Sequence, residues 1–220
     1  MGIPLLEPRR GLTFDLAVDG ADELDPQLRL IKGGGGVLLR EKPSKPPRAT
    51  CSSSPIPVSW CRGWAASPLP LEVVPFALPW VLDAVEKLGG APVLRMQKDD
   101  PTAVYYSDQK NLLVDCHFQT IPDAEWPAAQ LKTIPGIVEH GLFLGLARAA
   151  IIIQEGQAQV LRPGKAARPA AEFLELLQGW VVALRVRLTP GPLSEKERGS
   201  LTICSCATGS PSPFRRGGRG

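Results

Sequence analysis

No apolar run in this 220-residue sequence reaches the ~18 residues a membrane span needs, and the N-terminus lacks a basic-then-apolar signal pattern. The expected location is therefore the cytoplasm. Charge of one sign is scarce in excess: 25 Lys and Arg against 22 Asp and Glu leave +3, too little to suggest nucleic acid. Aromatics, at 6%, do not interleave with a basic stripe. Cys51, Cys61, Cys116, Cys204 and Cys206 are odd in number, without CxxC spacing or a paired histidine near Cys204 and Cys206. That argues against a metal site and favours free thiols in a reducing compartment. No metal triad, Ser-His-Asp arrangement or redox pair is present. The 44% hydrophobic and 21% charged composition is that of a globular protein long enough for one large domain or two small ones.

Composition changes abruptly twice. Residues 43–70 carry seven prolines and no acidic residue, and residues 189–220 are rich in Gly, Pro, Ser and Arg. Proline at that density breaks helices and sheet ladders, and neither stretch has apolar periodicity, so neither is expected in a core. The chain between them reads as α/β. "LTFDLAV" (12–18) suits a buried strand that runs into Asp19-Gly20. "WVLDAVEKLGG" puts Val81, Leu82, Val85 and Leu88 on one helical face, with Pro79 in the first turn and Gly89-Gly90 at the end. "PVLRMQ" and "NLLVDCHF" read as strands, the second with Leu113, Asp115 and His117 alternating against Leu112, Val114 and Cys116. "AEWPAAQLKTI" is an expected helix stopped by Pro135-Gly136. "AAIIIQ-EG-QAQVL" is an expected hairpin turning at Glu155-Gly156, and a further amphipathic helix is expected over 170–187.

The chemistry concentrates in "LAVDGADELDPQLRLIKGGGGVLLREK" (16–42). An acidic turn beyond the carboxyl end of a strand is where open α/β sheets bind ligands, and Asp19 and Asp22 offer acceptors for sugar hydroxyls. Taken alone, such a turn is a solvated strand end. Gly33 to Gly36 carry no side chains, so their N–H groups can approach an anion or a developing oxyanion, with Lys32 as a point charge beside them. No GK[ST] follows, so this is not a Walker loop, and it is not a GxGxxG dinucleotide fingerprint. Glu41 alone would be a surface glutamate. In this company it is a candidate general base. Together the groups fit proton transfer next to a carbonyl on a small polyhydroxylated substrate.

The DGAD, KGGGG and REK elements resemble the signature of the ribose-5-phosphate isomerase type A family. The likeness resumes at "LPLEVVPFALPWVLDAVEKLGGAPVLRM", "NLLVDCHF" and "IPGIVEHGLFLGLA", and runs to about Leu161. The resemblance implies interconversion of ribose 5-phosphate and ribulose 5-phosphate through an enediolate, in the non-oxidative pentose phosphate pathway, with no metal or organic cofactor. It makes Glu41 the proton-shuttling base and places Asp19, Gly20, Ala21, Asp22, Lys32, Gly33, Gly34 and Gly35 at the sugar. His140, in "VEHGLF", is expected to be structural. The implied fold class is α/β: a partial Rossmann-like parallel-sheet domain (1–42) and a smaller α+β domain (68–136). An irregular segment (43–67) separates them. A return segment (137–164) leads back to the first domain, and an extra helix and disordered tail (165–220) follow. Partners would be a sugar phosphate and further copies of the chain, as a dimer or tetramer, with no nucleic acid or membrane.

Three departures from the family pattern accompany the match. Little chain precedes Leu12, so the Thr-Gly-Ser-Thr type loop that grips phosphate has no counterpart, and a truncated N-terminus is expected. Residues 43–67 stand where the family has a helix, a strand and an Ala-Asp-x-Ser-Lys segment, and Lys45 does not take that lysine's role. Their composition is that of GC-rich coding DNA read out of frame after Lys42 and restored near Leu69. Residues beyond about 165 extend past the usual family end. Rival readings are a non-catalytic partner of a full-length isomerase, a sugar-phosphate-binding module, and a nucleic-acid binder resting on Arg215, Arg216 and Arg219.

Overall fold

The computed structural model describes residues 10, 19–42, 53–54, 67–121, 123–154 and 157–169. Several expectations lie outside the described residues: the strand at 12–18, nearly all of 43–67, the turn at Glu155-Gly156, the helix at 170–187 and the tail. So do Cys51, Cys61, Cys204, Cys206, Arg215, Arg216 and Arg219. No helix among the described residues is long and apolar enough to cross a membrane.

The elements run in chain order as β1 (Glu23–Leu24), β2 (Leu30–Ile31), α1 (Leu38–Glu41), β3 (Ser53–Ser54) and β4 (Leu69–Val73). A 3-10 turn at Pro75–Ala77 leads into α2 (Leu78–Lys87), β5 (Ala91–Leu94), β6 (Leu112–His117), α3 (Glu125–Thr133) and β7 (Ile137–His140). The chain continues through β8 (Leu142–Phe143), β9 (Ala150–Gln154), β10 (Gln157–Leu161) and β11 (Arg168–Pro169). Among the described residues three sheets result, in the orders β1-β2-β8, β11-β10-β9-β3 and β5-β6-β4-β7. The architecture is α/β in the broad sense of mixed sheets and helices. Its described ladders are antiparallel except one: Ser53–Ser54 runs parallel to Ile151–Ile152. The expected parallel sheet is represented among the described residues by that pairing alone. Short links, such as the hairpin register that sets Gln154 opposite Gln157, make neighbouring strands antiparallel.

The helix expected after Pro79 forms as α2, for local reasons. Proline stands in the first turn, where its missing N–H costs nothing. At the other end Gly89 takes φ +83°, and its N–H reaches the Glu86 carbonyl at 2.9 Å while that of Gly90 reaches the Val85 carbonyl at 3.1 Å. This is the Schellman arrangement, and it satisfies carbonyls the helix leaves open. Val81 and Val85 are fully buried, each contributing roughly 2 kcal/mol relative to an exposed position. α3 buries Pro127, Ala128 and Leu131 and ends before Gly136, whose φ is +100°.

Among the described residues two large cores form, beside a small cluster of Ala149, Val160 and Ile151. The first gathers Leu69, Leu71, Val73, Val81, Val85, Val114, Cys116 and Leu131, and the second Leu24, Leu28, Leu30, Leu38, Leu113 and Phe143. The side chains of β2 and β8 alternate between them: Ile31 and Leu142 enter the first core, Leu30 and Phe143 the second. In β6 the expected alternation holds for Val114 and Cys116 on one face, but Leu113, on the other, is buried too. That face is covered by the layer carrying α1, so the strand is two-sided at this point.

Candidate functional site

Lys32 follows β2, and strand alternation puts it on the side of Leu30 and Phe143 rather than that of Ile31. Only 4% of the residue reaches solvent. Its ammonium stands 2.8 Å from Asp19 Oδ2 and 3.1 Å from Glu41 Oε2, and it donates to the Gly20 carbonyl. The ring of Phe143 lies 5.4 Å below it. Burial opposes the ammonium charge, but Glu41 and Asp19 outweigh that penalty and hold its pKa above the ordinary lysine value. Lys32 is therefore a fixed cation at neutral pH, suited to stabilising negative charge and not to moving a proton.

The acidic turn and the glycine loop meet around this charge. The Gly20 N–H donates to Asp19 Oδ1 at 2.8 Å, and the Gly34 N–H donates to Asp22 Oδ2 at 2.7 Å. A Cβ at Gly34 would come within 2.8 Å of the Asp22 carboxylate, so this approach requires glycine. Gly33, at φ +107°, accepts the Gly36 N–H at 3.0 Å and closes the turn. A Cβ at Gly20 or Gly35 would meet nothing within 4 Å, so open space lies at those two positions. Ala21 packs against the second core.

Of the residues singled out in the sequence, Asp19, Gly20, Lys32 and Glu41 converge on one ammonium, and Asp22 with Gly34 closes the loop beside them. Other side chains that hold this assembly were not singled out in the sequence. The Arg95 guanidinium is gripped by the Asp115 carboxylate, through Nε at 2.8 Å and through Nη2, and donates to the Gly33 and Gly34 carbonyls at 3.0 and 3.1 Å. The Tyr105 hydroxyl donates to the Gly35 carbonyl at 3.3 Å. Lys42 donates to Glu139 Oε1 at 2.8 Å. Strand alternation could have marked Arg95 and Asp115 as sharing a sheet face, but nothing local names the glycine loop as their partner. His140 is buried beside Lys42, with Nδ1 3.3 Å from both the Lys42 ammonium and the Leu142 N–H. Burial, then the Lys42 charge, pushes its pKa down to about 4, so it is neutral at pH 7.

Comparisons with known proteins place the chain in one family. The family model described as "Ribose 5-phosphate isomerase A (phosphoriboisomerase A)" matches residues 1–157. A ribose-5-phosphate isomerase A from Roseiflexus sp. (strain RS-1) is 49% identical over 156 residues, covering 69% of this chain. The chain spans 65% of that relative's length. The crystal structure of ribose 5 phosphate isomerase A from Neisseria gonorrhoeae superposes with a TM-score of 0.65 at 28% identity, covering 74% of this chain and 70% of the other. A D-ribose-5-phosphate isomerase in complex with phospho-erythronic acid superposes with a TM-score of 0.61 at 30% identity, covering 67% and 65%. A lysine locked between two carboxylates beside a four-glycine loop, and a family match over more than half the sequence, make this chain a member of the ribose 5-phosphate isomerase A family.

Proposed function

We propose that this chain interconverts ribose 5-phosphate and ribulose 5-phosphate by base-catalysed proton transfer through an enediolate. The observation that carries the reading is the Lys32 ammonium held against both Asp19 and Glu41 at the mouth of the glycine loop. In the forward direction the Glu41 carboxylate removes the proton from C2 of the open-chain aldose, and the electron pair shifts onto the C1 oxygen. Lys32 and the loop N–H groups stabilise that oxygen as charge develops. Glu41 then returns its proton to C1 while the hydroxyl proton moves from O2 to O1, giving the ketose. Asp19 and Asp22, with Gly20, Ala21 and Gly33 to Gly35, hold the sugar. That a family relative binds phospho-erythronic acid, a phosphorylated polyhydroxy acid, supports the substrate class.

Three further statements belong to the same proposal. Residues 1–42 form a partial Rossmann-like domain to which 137–164 return, and 68–136 a smaller α+β domain; the parallel pairing of Ser53–Ser54 with Ile151–Ile152 brings a piece of the stretch expected to be irregular, 43–67, onto the return segment's sheet. The protein acts in the cytoplasm, in the pentose phosphate pathway. It assembles as a homodimer or tetramer, for which exposed Phe76 and Trp80 supply apolar surface, and light scattering on the purified chain tests this.

The deciding experiment is a coupled assay for ribose 5-phosphate to ribulose 5-phosphate conversion, run beside Glu41→Gln. The variant keeps the side-chain shape but not the base, so turnover should fall by about 10²-fold or more while phospho-erythronic acid still binds. Unchanged turnover in the variant removes Glu41 from its role. No turnover in the wild-type chain overturns the functional reading.

A further inference from the structure

The isomerase reading gives Lys42 no part, although it follows Glu41 directly. α1 is a single turn of four residues without a side-chain bond at its N-cap. A helix that short has no stability of its own, because nucleation costs more than one turn of hydrogen bonds returns. The place of Glu41 in space must therefore come from what grips the two ends of that turn. At one end Leu38 is fully buried in the second core. At the other the Lys42 ammonium donates to Glu139 Oε1 at 2.8 Å and to the His140 carbonyl at 2.9 Å, and lies 5.0 Å from the ring of Phe143. A third contact, Arg40 to Asp108 at 3.5 Å, joins two exposed side chains and holds little.

The stretch that receives Lys42 also holds Lys32. The Lys32 N–H donates to the Gly141 carbonyl at 2.9 Å, and its ammonium shares the Phe143 ring with Lys42. A Cβ at Gly141 would sit 2.4 Å from the Lys32 carbonyl oxygen, so only glycine permits the approach. The carboxylate of Glu41 and the cation it faces are thus referenced to one five-residue segment, Glu139 to Phe143.

We propose that Lys42 is a positioning residue: by tying the end of α1 to Glu139 and His140, it sets the Glu41 carboxylate beside Lys32. Burial lowers the Lys42 pKa against the pull of Glu139; burial likewise opposes the Glu139 charge, but Lys42 and the His140 N–H outweigh it and hold that carboxyl below its ordinary value. The pair is a tether that neither partner gives up without stranding the other.

The catalytic half of this claim rests on the isomerase reading, and the experiment separates the two. Lys42→Met should lower kcat by about 10- to 100-fold through misplacement of the base, with KM within about 3-fold of wild type when measured well below the variant's own Tm, which the stranded Glu139 lowers. Lys42→Arg, which can still reach both acceptors, should recover most of the rate. Hydrogen exchange at residues 38–42 should accelerate in Lys42→Met and Glu139→Gln, while β2 and β4 stay protected. Wild-type kcat in Lys42→Met, or kcat and KM lost only in proportion to the folded fraction, overturns the proposal. So does unchanged exchange at 38–42, whether or not the protein turns over substrate. If the wild-type chain shows no turnover, the isomerase reading falls alone and exchange decides the anchoring.

Discussion

At the scale of single residues, Lys32 shows what a buried cation between two carboxylates does. Neither carboxylate is far from water, each being 13% exposed, yet both face the same ammonium within 3.1 Å. Replacing Lys32 with Met leaves Asp19 and Glu41 opposed across a half-dry gap. Stability should drop by about 3 kcal/mol at pH 7, because removing one partner of a buried ion pair strands the others. Urea melts of the two proteins at pH 7 check this. A deficit below about 1 kcal/mol would show that the ammonium stabilises the fold no more than an exposed ion pair does.

At the scale of elements, the glycines that end helices differ in what surrounds them. Gly89 closes α2 at φ +83° with nothing within 4 Å of a Cβ position, whereas at Gly136, at φ +100°, a Cβ would lie 2.1 Å from that of Ala77. Gly89→Ala should therefore cost only the left-handed backbone, about 1 kcal/mol. Gly136→Ala adds a clash with the turn that opens α2 and should cost about 1–3 kcal/mol more. Denaturant midpoints rank the two, and equal costs would mean that the 3-10 turn gives way freely. Both glycines were readable in the sequence as helix stops. That one of them also packs against Ala77, 59 positions earlier, was not, because a stop signal is local and a packing contact is not.

At the scale of the whole molecule, His140 couples global stability to pH. It is 2% exposed, stands opposite Leu71 in the β4–β7 register, and faces Lys42, Glu139 and, at longer range, Lys132. Its folded pKa of about 4 lies below the unfolded value near 6.5, so the folded chain binds fewer protons between the two. The contribution is complete above about pH 6.5 and is lost as pH falls toward 4, amounting to roughly 2–3 kcal/mol. Unfolding free energies from pH 7.5 to 4.5 should show that slope, and His140→Asn, neutral throughout, should flatten it. The same slope in the variant would assign the acid sensitivity to other groups.

The DGAD turn, the KGGGG loop and the REK end were legible because each is a short run whose chemistry depends on its own residues. Backbone freedom at glycine, carboxylates in a turn and a lysine next to them require nothing distant. The α2 helix and the strand around Val114 and Cys116 were legible for the same reason, since apolar periodicity is a local property. Which groups hold these pieces in place was decided elsewhere in the chain. Arg95 reaches Gly33 across 62 positions and Lys42 reaches Glu139 across 97, and Leu113 is buried in a core assembled from Leu24, Leu30, Leu38 and Phe143. Sequence alone determined the chemical inventory of this protein and its family signature. Tertiary structure alone decided that one lysine would stand between two carboxylates, because that depends on a glycine loop, a single helical turn and a strand end being packed against the same segment.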